Sequence, residues 1–434
     1  AEDGIRYRSP SRGLGDVYKR QMGGYMYEIL PRKVRVNLRQ SGGADASITT
    51  SMKIRKSPYW HLAQEAGVKT YSVQNHMYVP QSYEPEATGG LIKEYQYLTQ
   101  SVAMWDASHQ RQIQVKGNEA ADFVDAIITR DVHALMPVGS ARLALICNTR
   151  GGIINTPVVL RIADDEFWLS TSDSDVLLWA QGVNGAGSYD VAIHEIDVAP
   201  IQVQGPKSPE LMVELFGDHI LDMPYYSLIH EKLDGVSLVI SRTGFSAEIG
   251  FEIYPLNATV NGEKLWNRIM EVGEKFDLHV IGPSEPRRIE AGILSYGQDL
   301  DIENNPFEVG LGWLVDVNKQ DFVGKQALAQ FKALGVAKQL AAVVLGGKPR
   351  YRYNEDYHFV REPDSGYEVG YMTSLIYSPA WQSNIGFAML ESRFAQQETK
   401  LQIDLPEDGL VEGEVVRRPF VDPGKTKPYR KLSV

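Results

Sequence analysis

The order of apolar and polar residues along the chain predicts a succession of short helices and strands. Apolar residues recur at helical spacing over residues 91–104, and they alternate with polar residues over 111–117, as in a strand. Residues 141–162 are typical of two strands joined by a turn at 149–152, and residues 174–183 are typical of a helix. This β-α-β-β-β-α order favours a small α+β layer over a doubly wound dinucleotide domain.

A similar α+β cycle follows over residues 198–276, which suggests a pseudo-duplicated core. It contains strand-like runs such as 236–241 and an amphipathic helical run over 265–276. After Lys338 the helical periodicity ends, and short alternating runs with frequent glycine and proline follow. Such a texture predicts an all-β domain at the end of the chain.

Composition places the chain among soluble globular proteins of two or three domains. Of its 434 residues, 43% are hydrophobic and 23% are charged, which is unlike a disordered chain. Acidic residues number 55 against 44 lysines and arginines, and the net charge of −11 disfavours binding to nucleic acid or to anionic membranes. No apolar run is long enough to span a bilayer, so we expect a cytoplasmic protein without membrane or nucleic-acid partners.

The sequence offers few residues for metal or thiol chemistry. Its one cysteine, Cys147, excludes an internal disulfide and a multi-cysteine metal cluster. The nine histidines are scattered without a metal-binding spacing, so we predict no metal site. Because Cys147 lies in an apolar run, a buried structural thiol is favoured over a nucleophile.

Residues 1–51 are predicted to be an extension or linker that is partly artefactual or disordered. Residues 1–21 lack helical and strand periodicity, and they also lack the apolar stretch of a signal peptide. The SGGADAS run that follows is typical of a linker. The alternative is an arm that docks on a partner subunit, and dense globular patterning begins at Met52.

Residues 241–254 place a glycine-containing loop between two strands. On the second strand, Glu252 and Tyr254 share a face because strand side chains alternate. A carboxylate beside a phenol suits a ligand with adjacent N–H donors and an aromatic face, such as a pterin. The pattern supports equally well an edge-strand glutamate that pairs with Arg242.

Residues 287–313 hold a second group of candidate binding residues. Arg288 could pair with a ligand carboxylate, while Tyr296 and Trp313 could stack on a planar group. Composition alone favours core aromatics and a structural ion pair instead. A later polar turn with aromatic residues, which includes Tyr377, is typical of a protein surface.

Together these segments resemble the folate-dependent aminomethyltransferase family, to which the T-protein of the glycine cleavage system belongs. The resemblance covers residues 55–420. It is carried by motifs in the family's order and spacing: MWDASH, IQVQGPKS, SRTGFSAEIGFEIY, RRIEAGILSYGQDLD, NPFEVGLGW, DFVGKQAL and TSLIYSPAWQSNIGFAM. The resemblance implies an α+β fold in which three domains form a cloverleaf around a central hole that holds tetrahydrofolate.

The family's domain arrangement implies that two α+β domains are interleaved in this sequence and that an antiparallel β-barrel-like domain follows. We expect the oligomeric state to be a monomer or a homodimer. The expected boundaries are 1–51 for the extension, 52–110 plus 198–298 for domain 1, 111–197 plus 299–338 for domain 2, and 339–434 for domain 3.

The resemblance also implies a binding site for a tetrahydrofolate cofactor. Glu252 would bond the pterin ring, and Tyr254 would lie against the folate and act in catalysis. Arg288 would sit near the glutamate tail. The remaining expected cofactor contacts are Arg242, Tyr296, Trp313, Ser170 and Gln204.

The chain departs from the family's patterns at positions that matter for the chemistry. The T-protein pattern has paired aspartates, one of them catalytic, where this chain has Asn155 and Thr156. Stretches 55–80 and 167–182 resemble the family's dimethylsulfoniopropionate demethylases more than its T-proteins. The demethylase pattern retains an aspartate at the position of Thr156 and has a tyrosine where Leu143 stands.

We therefore expect a tetrahydrofolate-dependent demethylase that moves a methyl group from a small sulfonium donor, with dimethylsulfoniopropionate as the best candidate, to folate N5. A sulfonium leaves as a neutral thioether that needs no general acid, so the loss of the aspartate is tolerable. The first alternative is demethylation of a methoxy-aromatic or N-methyl compound. The second is a folate-binding protein without transferase activity. Such relatives rely on a cysteine in the later part of the chain, and the one cysteine here, Cys147, argues against that alternative.

The donor pocket is predicted only in outline. Aromatic faces attract cations, so Trp60, Trp105 and Tyr377 are the expected substrate contacts. Thr156 is a candidate catalytic residue because it occupies the position of the family aspartate. Most of the other tryptophans are expected in the core.

Overall fold

The computed structural model describes residues 50–86, 89–185, 188–354 and 356–433. The predicted extension over 1–51 therefore lies outside the described residues, except for its last two positions. The α-helices, in chain order, are α1 (Trp60–Glu65), α2 (Gly90–Gln100), α3 (Ala120–Ile127), α4 (Val132–Leu135), α5 (Val176–Val183), α6 (Ser208–Phe216), α7 (Ala258–Gly273), α8 (Glu285–Glu290), α9 (Lys325–Leu334) and α10 (Thr426–Tyr429).

Strands are distributed along the whole described chain and alternate with these helices up to α9, which confirms the predicted α+β class. In chain order they are β1 (Thr70–Gln74), β2 (Met77–Ser82), β3 (Val102–Asp106), β4 (Gln112–Lys116), β5 (Ala141–Leu143), β6 (Ile146–Cys147), β7 (Ile153–Asn155), β8 (Val158–Ala163), β9 (Glu166–Ser170), β10 (Ala192–Glu195), β11 (Ile201–Gln204), β12 (Leu228–Leu233), β13 (Val236–Ser241), β14 (Gly250–Pro255), β15 (Leu278–Val280), β16 (Lys338–Leu345), β17 (His358–Arg361), β18 (Glu368–Ser378), β19 (Ser383–Glu391), β20 (Lys400–Leu405) and β21 (Gly409–Val416).

A six-stranded sheet in the order β12-β13-β14-β11-β3-β15 separates an apolar core from a polar layer. Because strand side chains alternate, Ile201 and Phe251 point to one face, where they share a core with Trp266 of α7. The other face of the same strands carries Gln202 and Glu252, which stand opposite each other in the β11–β14 pairing. Both polar residues are buried, so this face is enclosed by other parts of the chain.

The end of α2 corrects one prediction from the sequence. Helix α2 ends at Gln100, and residues 102–104, predicted to continue it, belong to strand β3. Val102 and Met104 are fully buried there, and β3 pairs with β11 on one side and β15 on the other. A short apolar run fits helical and strand spacing alike, so its period alone could not decide whether residues 102–104 form helix or strand.

A second sheet has the order β10-β4-β9-β8-β5, and all its pairings are antiparallel. Its apolar face, which includes Val115 and Leu169, packs with Phe123 of α3 and Ala180 of α5. The turn predicted at 149–152 is confirmed as the connection between β6 and β7. The region around it forms four short strands, β5 to β8, where two were predicted.

The last part of the chain forms a closed antiparallel barrel in the order β16-β19-β18-β17-β20-β21, which confirms the predicted all-β region. Val343, Val360, Ile403 and Val415 belong to its interior core. Closure leaves no unpaired strand edge, so the barrel is a stable support for the loops at its end.

The interleaving of the two α+β units remains a proposal with the boundaries given above. The six-stranded sheet takes strands from 102–106 and from 201–280, whereas the five-stranded sheet takes its strands from 112–195. The chain thus leaves the first sheet after β3 and returns to it at β11, which is the pattern that the proposed boundaries describe.

Candidate functional site

A cavity of about 1290 Å³ is lined by residues from both sheets and from the barrel. Trp105 and Gln202 come from the six-stranded sheet, Ser170 from the five-stranded sheet, and Tyr377 from the barrel. Pockets of roughly 300–1,000 Å³ hold a drug-sized ligand. This cavity therefore has room for a cofactor and a small second substrate together.

The structure divides the predicted site residues into two sets. One set lines the cavity: Trp105, Thr156, Ser170, Arg288, Tyr296, Trp313 and Tyr377. The other set does not contribute to its wall: Trp60, Gln204, Arg242, Glu252 and Tyr254. Their roles in binding or catalysis stay predictions, and the contacts below show what each side chain can do.

Glu252 is a fully enclosed carboxylate that is bonded only by neutral donors. Its Oε1 accepts from Gln202 Nε2 at 2.8 Å, and its Oε2 accepts from the hydroxyls of Tyr254, at 3.1 Å, and Thr243. Burial raises the pKa of Glu252 above its ordinary value, while the hydroxyl donors oppose that rise. The hydroxyl of Tyr254 therefore helps to hold Glu252 in place, and its aromatic ring packs edge-on against Trp168.

Gln202 connects this carboxylate to the cavity. Its amide nitrogen bonds Glu252, its amide oxygen accepts from the Phe245 N–H at 3.1 Å, and the residue forms part of the cavity wall. A ligand with paired N–H groups would meet a glutamine and a glutamate that are already linked. Sequence reasoning missed Gln202, although the alternation in IQVQ places it on the same sheet face as Glu252.

Gln204 organises the loop that leads into β14. It donates to the Thr243 carbonyl at 2.9 Å and accepts from the Ser246 hydroxyl at 2.7 Å. Its side chain also fills the space beside Gly244 and Gly250, where any Cβ would collide with it. These contacts make Gln204 a positioning residue for the loop rather than a wall residue.

The alternative interpretation of Glu252, an edge-strand residue paired with Arg242, is wrong. Strand β14 is an inner strand between β13 and β11. Arg242 donates instead to the backbone carbonyl oxygens of Met223 and Pro428, both at 2.7 Å, and of Arg430 at 2.6 Å. It fastens the end of the chain to the six-stranded sheet.

Arg288 lines the cavity, but its charge is already balanced by carboxylates. It donates to Glu285 Oε2 and Asp299 Oδ2, both at 2.7 Å, and to the Ser374 hydroxyl at 2.9 Å. Burial alone would lower the pKa of Arg288, but the two carboxylates outweigh it and raise the pKa. Little of this guanidinium is left for a ligand carboxylate, as the structural ion-pair interpretation anticipated.

Thr156, Tyr296 and Trp313 give the wall a mixed character. The Thr156 hydroxyl lies 3.1 Å from the Ser172 hydroxyl, and Tyr296 donates to the Ile153 carbonyl at 3.0 Å. Trp313 is 63% exposed, and its ring has Lys425 at 5.9 Å and Arg130 at 6.0 Å. Such a face is open to stacking by a planar anionic ligand.

Among the predicted donor contacts, Trp105 and Tyr377 reach the cavity and Trp60 does not. Trp105 is 2% exposed, so its contribution to the wall is small in area. Tyr377 packs edge-on against Tyr351, with ring centres 5.2 Å apart. Trp60 stacks at 4.7 Å on Tyr71 of the β1–β2 hairpin, and this tyrosine supplies the wall at that point.

Sequence reasoning also missed an aromatic group and a carboxylate in the wall. Tyr225, Tyr226 and Phe245 line the cavity, and burial raises the pKa of Tyr226 to about 12, so its phenol stays protonated. Asp173 lines the cavity as well, and its Oδ1 accepts from the Asn75 N–H at 2.7 Å. Asp173 lies in the demethylase-like stretch 167–182, which was the available signal for it.

Three further predictions concern metal, thiol and membrane chemistry. Over residues 50–433, apart from the short gaps in the description, histidine, cysteine and carboxylate side chains do not gather into a group that could hold a metal ion. Cys147 is fully buried, as predicted, and burial raises its pKa to about 12. Within the same residues no helix has the length and apolarity to cross a membrane.

An α+β body with two sheets, a closed barrel after it and a large cavity lined by all three have the architecture of the aminomethyltransferase fold. The chain belongs to the glycine cleavage T-protein family. The GCVT N-terminal domain matches residues 59–319, and the glycine cleavage T-protein C-terminal barrel domain matches residues 338–422. As the sequence motifs implied, it is a one-carbon transferase that depends on tetrahydrofolate.

Relatives of this chain include proteins with two activities of this family. The chain is 33% identical to the dimethylsulfoniopropionate demethylase of Ruegeria pomeroyi over 84% of its own length and 97% of that protein. It is 36% identical to the aminomethyltransferase of Thermotoga maritima over 76% of its length and 89% of that protein. The crystal structure of glycine cleavage system aminomethyltransferase T from Bartonella henselae, at 20% identity, has the same fold, with a TM-score of 0.75 over 88% of this chain and all of that one.

Proposed function

We propose that the protein is a tetrahydrofolate-dependent demethylase that takes the methyl group of a small sulfonium compound, with dimethylsulfoniopropionate as the donor. The observation that carries the proposal is a carboxylate, Asp173, that lines the cavity together with aromatic residues such as Tyr296 and Tyr226. Among the described residues no lysine, arginine or histidine forms an ion pair with Asp173. A carboxylate with aromatic neighbours favours a cation, and a sulfonium methyl donor is a cation.

The described residues fit the cofactor at the pterin end. The wall residue Gln202 and the enclosed Glu252 behind it form a linked carboxylate–amide pair, which suits the adjacent N–H donors of a pterin ring. Phe245, Tyr225 and Tyr226 supply aromatic faces beside it. Tetrahydrofolate, when bound there, supplies the N5 atom that accepts the methyl group.

The protein's own contribution is to bind, orient and dehydrate the reactants. A sulfonium leaves as a neutral thioether, so no general acid is needed and the hydroxyl of Thr156 need not donate a proton; the proton that is lost from N5 on methylation passes to solvent. Holding donor and acceptor in line can supply about 7–11 kcal/mol of the barrier reduction. Each aromatic face adds about 0.5–2 kcal/mol to the binding of a cationic donor.

The direct test is incubation of the purified protein with tetrahydrofolate and a panel of methyl donors. The panel contains dimethylsulfoniopropionate, glycine betaine, a methoxy-aromatic acid and an N-methyl amino acid. We expect 5-methyltetrahydrofolate, detected by mass spectrometry, with the sulfonium donor and at most a trace with the methoxy-aromatic acid. Product from the methoxy-aromatic acid and none from any sulfonium would contradict the proposal.

The same assay tests the part played by position 156. Thr156→Asp restores the carboxylate of the family pattern, and Thr156→Asn is its uncharged match. If the leaving group needs no acid, neither variant exceeds the wild-type rate with the sulfonium donor. A strong rise in rate for Thr156→Asp alone would show that an acid is required after all.

A further inference from the structure

Arg418 is a cavity residue that forms no ion pair with a carboxylate among the described residues. It lines the cavity just before Pro419, and its Nη2 donates to the Val309 carbonyl at 2.8 Å. Its Nη1 is buried and has no hydrogen-bond partner among the described residues. An unpaired buried donor costs roughly 1–3 kcal/mol, and more when it is charged.

The chain provides a close-fitting support for this side chain. A Cβ on Gly310 would lie 2.3 Å from Arg418 Nη2, and one on Gly292 would lie 3.0 Å from Arg418 Cγ. Both glycines have φ near +70°, a conformation that residues with a side chain rarely adopt. The guanidinium is therefore held in one place at the wall.

The other cavity cations are compensated or exposed. Arg288 has Glu285 and Asp299, and Arg352 pairs with Glu86 at 3.0 Å. Asp299 is also the carboxylate that acts on Arg418 electrostatically, but it already accepts from Arg288, Thr373, Ser374 and the Ser295 N–H. The lysines of the wall, Lys69 and Lys425, are exposed to solvent.

We infer that Arg418 binds a carboxylate of the ligands in this cavity, a role that the sequence motifs had assigned to Arg288. The planar guanidinium matches the geometry of a carboxylate and stays charged at any physiological pH. The inference rests on the proposed function, which names two ligands that carry a carboxylate. One is the glutamate tail of tetrahydrofolate, and the other is the carboxylate of the methyl donor.

Binding measurements without turnover test the inference. Arg418→Gln removes the charge, Arg418→Lys keeps it, and Arg417→Gln removes the charge of an exposed neighbour outside the cavity wall. The ligands are tetrahydrofolate and 6-methyltetrahydropterin, which has the ring system but no carboxylate. We expect Arg418→Gln to weaken tetrahydrofolate binding at least tenfold and to change 6-methyltetrahydropterin binding less than twofold, with Arg417→Gln close to wild type.

A second arm distinguishes the source of the carboxylate. Dimethylsulfoniopropionate is compared with trimethylsulfonium, which lacks the acid. A tenfold loss for dimethylsulfoniopropionate alone, with tetrahydrofolate unaffected, assigns Arg418 to the donor and still supports the inference. Unchanged affinity for every carboxylate ligand overturns it, provided that thermal unfolding shows Arg418→Gln to be folded. Should that variant not fold, wild-type affinity in a folded Arg418→Met variant overturns it equally.

These outcomes separate the inference from the proposed function. Tetrahydrofolate binding that depends on Arg418, without methyl transfer from any sulfonium, would remove the proposed function and keep the inference. Methyl transfer from the sulfonium, together with wild-type affinity of Arg418→Gln for the carboxylate ligands, would remove the inference and keep the proposed function.

Discussion

Glu252 and Arg288 are both buried charged residues near the cavity, but their partners give them different uses. Glu252 is bonded by an amide and two hydroxyls, which are neutral donors that a ligand's N–H groups can replace. Arg288 is bonded by two carboxylates, whose removal would leave an uncompensated charge. The sequence motifs predict both residues, but a motif does not record which partners a side chain already has.

The negative charge of Asp173 is predicted to attract a positively charged methyl donor. Asp173→Asn keeps the shape and the bond from the Asn75 N–H but removes the negative charge. We expect the KM for a sulfonium donor to rise about three- to tenfold, by loss of roughly 1 kcal/mol of attraction, while kcat changes less than twofold. The reason is that a carboxylate holding the cation stabilises the bound donor and the transition state by similar amounts.

Asp175→Asn is the matched control for this prediction. Asp175 is two residues away, is exposed and lies outside the cavity wall. Steady-state kinetics over a range of donor concentrations separates KM from kcat in both variants. Equal KM values for Asp173→Asn and the wild type would remove Asp173 from the donor site.

The β1–β2 hairpin is the element that fixes the loop carrying Asp173. Its turn residues Asn75 and His76 both have left-handed backbone conformations, the geometry that two-residue hairpins require. The buried Asn75 amide donates to the Ser172 carbonyl at 2.8 Å, the His109 carbonyl at 3.0 Å and the Thr171 hydroxyl at 3.1 Å. One asparagine therefore connects the hairpin to the cavity wall.

Substitutions of Asn75 should separate the contribution of its amide hydrogen bonds from that of its left-handed backbone. Asn75→Gly keeps the left-handed backbone but loses the amide, and we expect a loss of about 2 kcal/mol in the free energy of unfolding. Asn75→Ala adds the strain of a left-handed alanine, so it should be about 1 kcal/mol less stable again. Denaturant unfolding measures both, with Val73→Thr, a half-exposed position in the same hairpin, as the neutral control. Wild-type stability in Asn75→Gly would show that the amide bonds are unimportant.

At the scale of the whole molecule, the site is a cavity that no single unit builds alone. Its wall combines Gln202 of the first sheet, Ser170 of the second and Tyr377 of the barrel, which lie far apart in the sequence. Periodicity predicted the α+β class and the barrel region because it reports which positions are buried. Which distant residues meet, as when Arg288 meets Asp299 and the barrel residue Ser374, depends on packing that a local pattern does not contain.

The rate at which the fully buried thiol of Cys147 is modified reports how often the strands around it open. The thiol lies in β6, which pairs with β7, and the carbonyl of Ile153 in β7 accepts from the cavity residue Tyr296. Since burial raises the thiol pKa to about 12, a thiol reagent modifies Cys147 only after this strand pair opens. We expect saturating tetrahydrofolate to slow the modification of Cys147. The slowing factor should be the same at every reagent concentration at which the modification rate still rises in proportion to the reagent. An unchanged rate would mean that this flank of the cavity opens independently of the ligand. With one cysteine per chain, the modified fraction reports the opening of the β6–β7 strand pair beside the cavity.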